Sequence, residues 1–428
     1  MSKFEPMLSK LTNGLRAAVL EHVSGNYREY CLWALSDDNP LQTTWLNMMG
    51  IPQFIQLTLG LLDGLVDDTD WERLSDFSVV MNLYLIFEVV SDDLAIGLAY
   101  PAPEDLSYEN RRALLQGFND AMIQRLQSDD SDTLRLLMPL QPTAEAISGF
   151  AQTLSPDKHH ALAQIYRDLY DPRRADGIEH AIWPRLLANI ETCHAVAQAV
   201  SGCQLGPIVA KGLMDRYRAV SAMLDHAERS IIDSAAIGID TILVVPVLAY
   251  YICVLIEILQ PTKNLERVIG NGILEEALRL AALQVRLLND VGPGLLMQDA
   301  AARSALFEVL RFQEHKANTL GDMLLSAVQD IGPLLTRIHK DLAHGEFNIC
   351  LNGIRHLQPA DGLDMLENRL AEVSDLYRDS STRLDQLTRL LTQELGTPTP
   401  SCLIQRFVRF HEMLYALPYN ESVGEYAV

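Results

Sequence analysis

Ala235-Ala-Ile-Gly-Ile-Asp-Thr-Ile-Leu-Val-Val-Pro-Val-Leu-Ala-Tyr-Tyr-Ile-Cys-Val-Leu-Ile256 reads as a greasy helix interrupted by one proline, and Leu287-Leu-Asn-Asp-Val-Gly-Pro-Gly294 as the polar end of a second one. A helix this apolar is buried on most of its faces. Pro246 removes a backbone donor and so kinks or splits the first helix. Asn289 and Asp290 then stand where an apolar cavity wall would end, and the remaining helices are read as the other walls.

The run without charge, Thr241 to Ile256, spans 16 residues between Asp240 and Glu257. A membrane span needs about 20, so the segment is read as a buried core helix, with no transmembrane segment. The start, Met1-Ser-Lys-Phe-Glu-Pro, has no apolar signal region. The six cysteines, Cys31, Cys193, Cys203, Cys253, Cys350 and Cys402, show no CxxC spacing. Scattered thiols in a chain of this length suit a reducing compartment, and the expected location is cytoplasmic. A net charge of −22 argues against nucleic acid, which needs clustered Lys and Arg.

Apolar positions at helical spacing predict helices over 7–35, 43–65, 71–100, 108–127, 184–229, 264–290 and 301–395. Residues 130–180 carry Pro139, Pro142, Pro156 and Pro172 and are expected to be an irregular insertion. His159 and His160 are adjacent, so they do not face one another on a helix. Thr397-Pro-Thr-Pro-Ser401 reads as a linker before a short helix over 402–416 and a polar tail. No stretch has strand periodicity. The expected class is all-α: one large helical domain over 1–395, and a 396–428 extension.

Two helices thus end in acid or amide pairs, Asp92-Asp93 and Asn289-Asp290. Hard cations such as Mg2+ take carboxylate and amide oxygens, with waters and substrate phosphates completing the shell. Arg229, before the kinked helix, has the planar fork that suits a diphosphate. Asp129-Asp130-Ser-Asp132 is a second candidate acid cluster in a more polar setting.

In the order of these elements the chain resembles a divergent class I terpene synthase of the isoprenoid synthase fold. Phe87-Glu-Val-Val-Ser-Asp-Asp-Leu-Ala-Ile96 stands at the place of that family's aspartate-rich motif. Arg286-Leu-Leu-Asn-Asp-Val-Gly-Pro-Gly-Leu-Leu-Met-Gln298 stands at the place of its second metal motif. Arg229 matches the diphosphate-sensing arginine, and Tyr377-Arg378 a basic-aromatic pair in reversed order. Both metal motifs are truncated: Ile96 replaces the third acid, Pro293 the serine and Met297 the glutamate.

The resemblance implies a helical bundle around an apolar cavity and Mg2+-dependent ionisation of a prenyl diphosphate, followed by cyclisation or prenyl transfer. It implies Asp92, Asp93, Asn289 and Asp290 as metal ligands and Arg229 as a diphosphate ligand. Tyr84, Phe87, Tyr250, Tyr251, Tyr377 and Arg378 become substrate-binding residues. Aromatic rings in such a pocket stabilise carbocations by about 0.5–2 kcal/mol each. A homodimer is left open as the assembly. Two other classes stay open: a non-catalytic helical binding or scaffold protein of the same fold, and a di-iron or haem-type oxygenase using Glu314, His315, His339, His344 and His411.

Overall fold

A computed structural model describes residues 3–100, 105–147, 149, 153, 156–180, 182–225 and 229–417. The chain is all-α, and no strand occurs among the described residues. It divides into two compact units. The first is Met1–Ser221 with Cys253–Leu259, the second Ala222–Ile252 with Gln260–Val428.

The first unit holds α1 (Phe4–His22), α2 (Gly25–Ala34), α3 (Gln42–Met48), α4 (Ile51–Leu62), α5 (Asp68–Ala95) and α6 (Leu106–Gln127). It continues through α7 (Thr133–Leu137), α8 (Gln141–Glu145), α9 (Pro156–Leu169), α10 (Ile182–Ala199) and α11 (Gly206–Met223). The 7–35 helix is two helices, because the chain is extended at Val23 and Ser24. The 43–65 helix is also two: Gly50 adopts φ +68°, a left-handed conformation that costs glycine least. Asp67 caps α5 by accepting from the Thr69 and Asp70 amides. By length and composition α5 could cross a membrane. Within the unit it packs against α1, α4, α6 and α10. Among its described residues the 130–180 stretch has short helices and 3-10 turns at Met138–Leu140 and Pro172–Arg174. On α9, His159 is half-buried and His160 exposed, so the two point to different surroundings.

The second unit holds α12 (Ile231–Thr241), most of α13 (Val244–Cys253), α14 (Leu265–Gly270), α15 (Ile273–Val291) and α16 (Pro293–Leu296). It ends with α17 (Ala300–Arg311), α18 (Leu320–Ile331), α19 (Thr336–His344), α20 (Pro359–Leu395) and α21 (Thr399–Ala416). The expected proline break is present but lies upstream of the proline. A proline ring clashes with the carbonyl four residues before it, here that of Ile242. The helix opens there, at φ −111° and ψ 150°. Pro246 then falls in the first turn of α13, where its missing N–H costs nothing.

Gly292 ends α15 with φ +85° and ψ 149°, a conformation essentially reserved for glycine. The C-terminal helix is not a separate extension. It buries Leu403, Ile404 and Phe407, and it packs against α15 and α20 within the second unit.

Candidate functional site

In the first unit, Tyr84, Glu88 and Asp92 recur every four residues and share one face of α5. Arg185, Asn189 and Cys193 do the same on α10, the helix packed most extensively along it. α11 adds Arg216 and Tyr217. These side chains form a polar column inside an apolar unit. At its inner end the Tyr84 and Tyr217 hydroxyls are 2.9 Å apart. Tyr217 Oη then donates to Glu88 Oε2 at 2.6 Å, and Asn189 Nδ2 donates to the same oxygen at 3.1 Å. Arg216 lies 3.3 Å from Glu88 Oε1 and donates to Asp92 at 2.8 Å. Arg185 donates to Asp93 at 3.2 Å.

Asp92 and Asp93 therefore part company. The Asp92 side chain is 70% exposed, and that of Asp93 only 4%. Burial pushes the Asp93 carboxyl up to about 6, against the pull of Arg185. Burial likewise raises Glu88 to about 7. Arg216 opposes that rise and the Asp92 charge adds to it.

The raised acid has a defined consequence for stability. Below its ordinary value near 4.5, Glu88 is protonated in both the folded and unfolded chain. As pH rises toward about 7 the unfolded chain loses this proton first, and the contribution of Glu88 to stability is lost. Glu88→Gln removes that dependence. Relative to the parent chain, the variant is expected to gain up to about 3 kcal/mol between about pH 5 and about pH 8. Urea unfolding at the two pH values checks this. Parallel behaviour of the two proteins would mean that Glu88 is not held protonated.

In the second unit, Asn289 and Asp290 end α15 as read, and both are held from within that unit. Asp290 has no exposed side-chain surface, and its carboxylate lies 2.8 Å from the Arg286 guanidinium one turn earlier. The Ile349 amide donates to it at 2.9 Å. Arg286 also donates to the Phe347 carbonyl at 3.0 Å and to Thr241 at 3.3 Å. Arg337 of α19 donates to the Asn289 backbone carbonyl at 2.8 Å and to its side-chain oxygen, and stacks over Tyr415 at 4.5 Å.

Asn348 bridges the Asp290 carbonyl at 2.8 Å and Asp341 at 2.7 Å. Lys340 sits between Asp341 and Glu346. Burial raises Asp290 to about 6 despite Arg286. Glu346 resists the upward push of burial, because His344 and Lys340 bring it down to about 2.

Mg2+ requires oxygens able to enter an octahedral shell at short range. As arranged, Asp93 and Asp290 are buried against arginines, and the amide oxygen of Asn289 is engaged by Arg337. These three do not fit the ion as they stand. Asp92, exposed at the end of the column, is the member of the set that solvent reaches readily.

The other sequence-derived candidates have local partners of their own. Arg229 donates to the Ala222 carbonyl at 2.9 Å. Phe87 is buried in an apolar cluster with Trp33 and Tyr166. Tyr250 and Tyr251 are buried edge to face, 5.6 Å apart. Tyr377 is buried and its hydroxyl is pushed up to about 12, first by burial and then by the Glu412 charge. Its neighbour Arg378 pairs with Asp375.

In the alternative acid cluster, Asp129 bonds His194 and Gln198, and Asp132 caps α7. His411 is bound to the Phe407 carbonyl at 2.8 Å. Among the described residues no histidine joins a group of three metal-ligating side chains. The sequence reading missed Arg185, Asn189, Arg216, Tyr217, Arg337 and Asp341. A signal for part of this set was present: Arg185 and Asn189 repeat at four-residue spacing on an apolar helix, as do Arg286 and Asp290.

No protein-family model, curated protein or solved structure matches the chain.

Proposed function

We propose that the chain is a non-catalytic helical binding protein in which the acid and amide pairs serve the fold. The observation that supports this reading most is the matching of each pair by arginines of its own unit: Arg185 and Arg216 for Asp93 and Asp92, Arg286 and Arg337 for Asp290 and Asn289. A guanidinium hydrogen-bonded to a carboxylate compensates its charge, so the acid is held without a metal ion.

Capacity for a ligand's polar group lies in the column of the first unit. There Asn189 Oδ1 and Arg216 Nε are buried without a hydrogen-bond partner. A buried polar atom left in that state costs about 1–3 kcal/mol, a cost that a bound polar group removes. The six free thiols suit a reducing compartment, and we extend the reading to a cytoplasmic location.

The second reading is Mg2+-dependent chemistry on a prenyl diphosphate. It is favoured by the exposure of Asp92 beside Arg216, a carboxylate and a guanidinium at one place. Equilibrium binding of C10, C15 and C20 prenyl diphosphates, with Mg2+ and with chelator, separates the two readings. The binding-protein reading expects the same affinity in both conditions. Tightening by Mg2+ that disappears in Asp92→Ala would instead establish the second reading.

A further inference from the structure

Cys203, Cys253 and Glu257 meet at one place in the first unit. Their ligand atoms all lie within 4.8 Å of one another. Two segments bring them together. Cys203 sits in the turn between α10 and α11, held by its amide on the Val200 carbonyl at 3.0 Å. Cys253 and Glu257 lie on the segment where α13 passes into a π-helical turn, Val254–Leu259, and four-residue spacing puts them on one side. Turns of this kind are rare and concentrate at functional sites, because the extra residue re-aims the side chains around it.

From Cys203, Cys253 and Glu257 we propose a metal site that takes a borderline-soft divalent cation, Zn2+ above all. Two thiolates and one carboxylate are donors that zinc accepts in tetrahedral geometry, with bonds of about 2.3 Å to sulfur and about 2.0–2.2 Å to oxygen. Such bonds put neighbouring donors about 3.5–3.8 Å apart. Small rotations of the three side chains close the set from its present spacing.

The carboxylate is already oriented. Glu257 accepts from the Gln204 amide at 2.7 Å and from the Leu205 amide at 2.9 Å, which ties it to the turn that carries Cys203. Hydrogen bonds of this kind fix a metal-binding side chain and tune its affinity. Cys203 and Glu257 are half-buried, so solvent reaches the site and a water completes the fourth position. Binding releases the thiol protons. The Cys253 thiol is pushed well up, first by burial, then by its contact with Cys203 and by the Glu257 charge. A divalent cation reverses that balance by supplying positive charge where the three groups converge.

The test uses the full chain, reduced and stripped with a chelator, then titrated with Co2+ as a spectroscopic stand-in for Zn2+. The expected result is a sulfur-to-cobalt charge-transfer band saturating at one ion per chain and displaced by Zn2+. Cys203→Ser and Cys253→Ser each lose the band. Glu257→Gln keeps an acceptor for one of the two amides and is expected to bind about 10–100-fold more weakly. Cys402→Ser, in the other unit, leaves the band unchanged.

In the parent chain, Zn2+ is also expected to protect Cys203 from alkylation, a readout that needs no variant to fold. Absence of the band in the reduced protein would overturn the proposal. So would a band that survives Cys253→Ser, or a Cys203–Cys253 disulfide whose reduction restores no metal uptake.

Discussion

Replacing Arg216 with methionine is expected to destabilise the first unit by about 3–5 kcal/mol, because breaking a buried ion pair from one side leaves an uncompensated charge. Arg216 is buried against Glu88 at 3.3 Å and Asp92 at 2.8 Å. Without it, Glu88 keeps the Tyr217 and Asn189 hydrogen bonds but no cation, with the negative Asp92 beside it, and must take up a proton to remain buried. The cost is therefore smaller at about pH 5 than at about pH 8, and smaller again in a Glu88→Gln background. Tryptophan fluorescence reads this directly, since Trp33, Trp45, Trp71 and Trp183 all belong to the first unit. A loss below about 1 kcal/mol, the size expected of a surface pair, would mean that the column is not held by this arginine.

Asp290→Ala is expected to cost the second unit about 3–5 kcal/mol, and Asp92→Ala no more than about 1 kcal/mol. The contrast follows from burial. Asp290 has no exposed side-chain surface, and removing it strands the Arg286 charge and the Ile349 amide together. Asp92 is 70% exposed, and water replaces most of what it loses. In a vacant metal site the outcome would differ, since acids that converge on an absent cation repel one another and their removal is neutral or stabilising. Chemical denaturation followed by far-ultraviolet circular dichroism compares the two variants. Equal, small effects would return Asp290 to the list of metal ligands.

Much of the architecture was legible because helical periodicity and proline are local signals. The apolar run around Pro246 reads as a broken, buried helix from its composition alone. The Gly292-Pro-Gly294 stop is visible because glycine alone readily holds φ +85° with an extended ψ. Helix ends at Gly50 and Ser24 were not legible, since a single glycine or serine inside an apolar pattern is compatible with a continuous helix.

The chemistry was harder to read, because it depends on partners distant in sequence. Asp92 and Asp93 look alike in the chain. Arg216 lies 124 residues from the first and Arg185 lies 92 from the second, and these contacts make one acid solvent-facing and the other a core residue. Asp290 carried a nearer signal in Arg286, four residues before it, an ion-pair spacing on a helix. That spacing offered Asp290 an ion-pair partner within its own helix.

The most direct test of the central claim is incubation of the purified chain with C10, C15 and C20 prenyl diphosphates and Mg2+, scoring release of inorganic diphosphate. If arginines hold the Asp-Asp and Asn-Asp pairs for the fold, release stays at the protein-free level for every chain length. Mg2+-dependent release that vanishes in both Asp92→Ala and Asn289→Ala, in folded variants, would contradict that account and show the two pairs to be metal ligands.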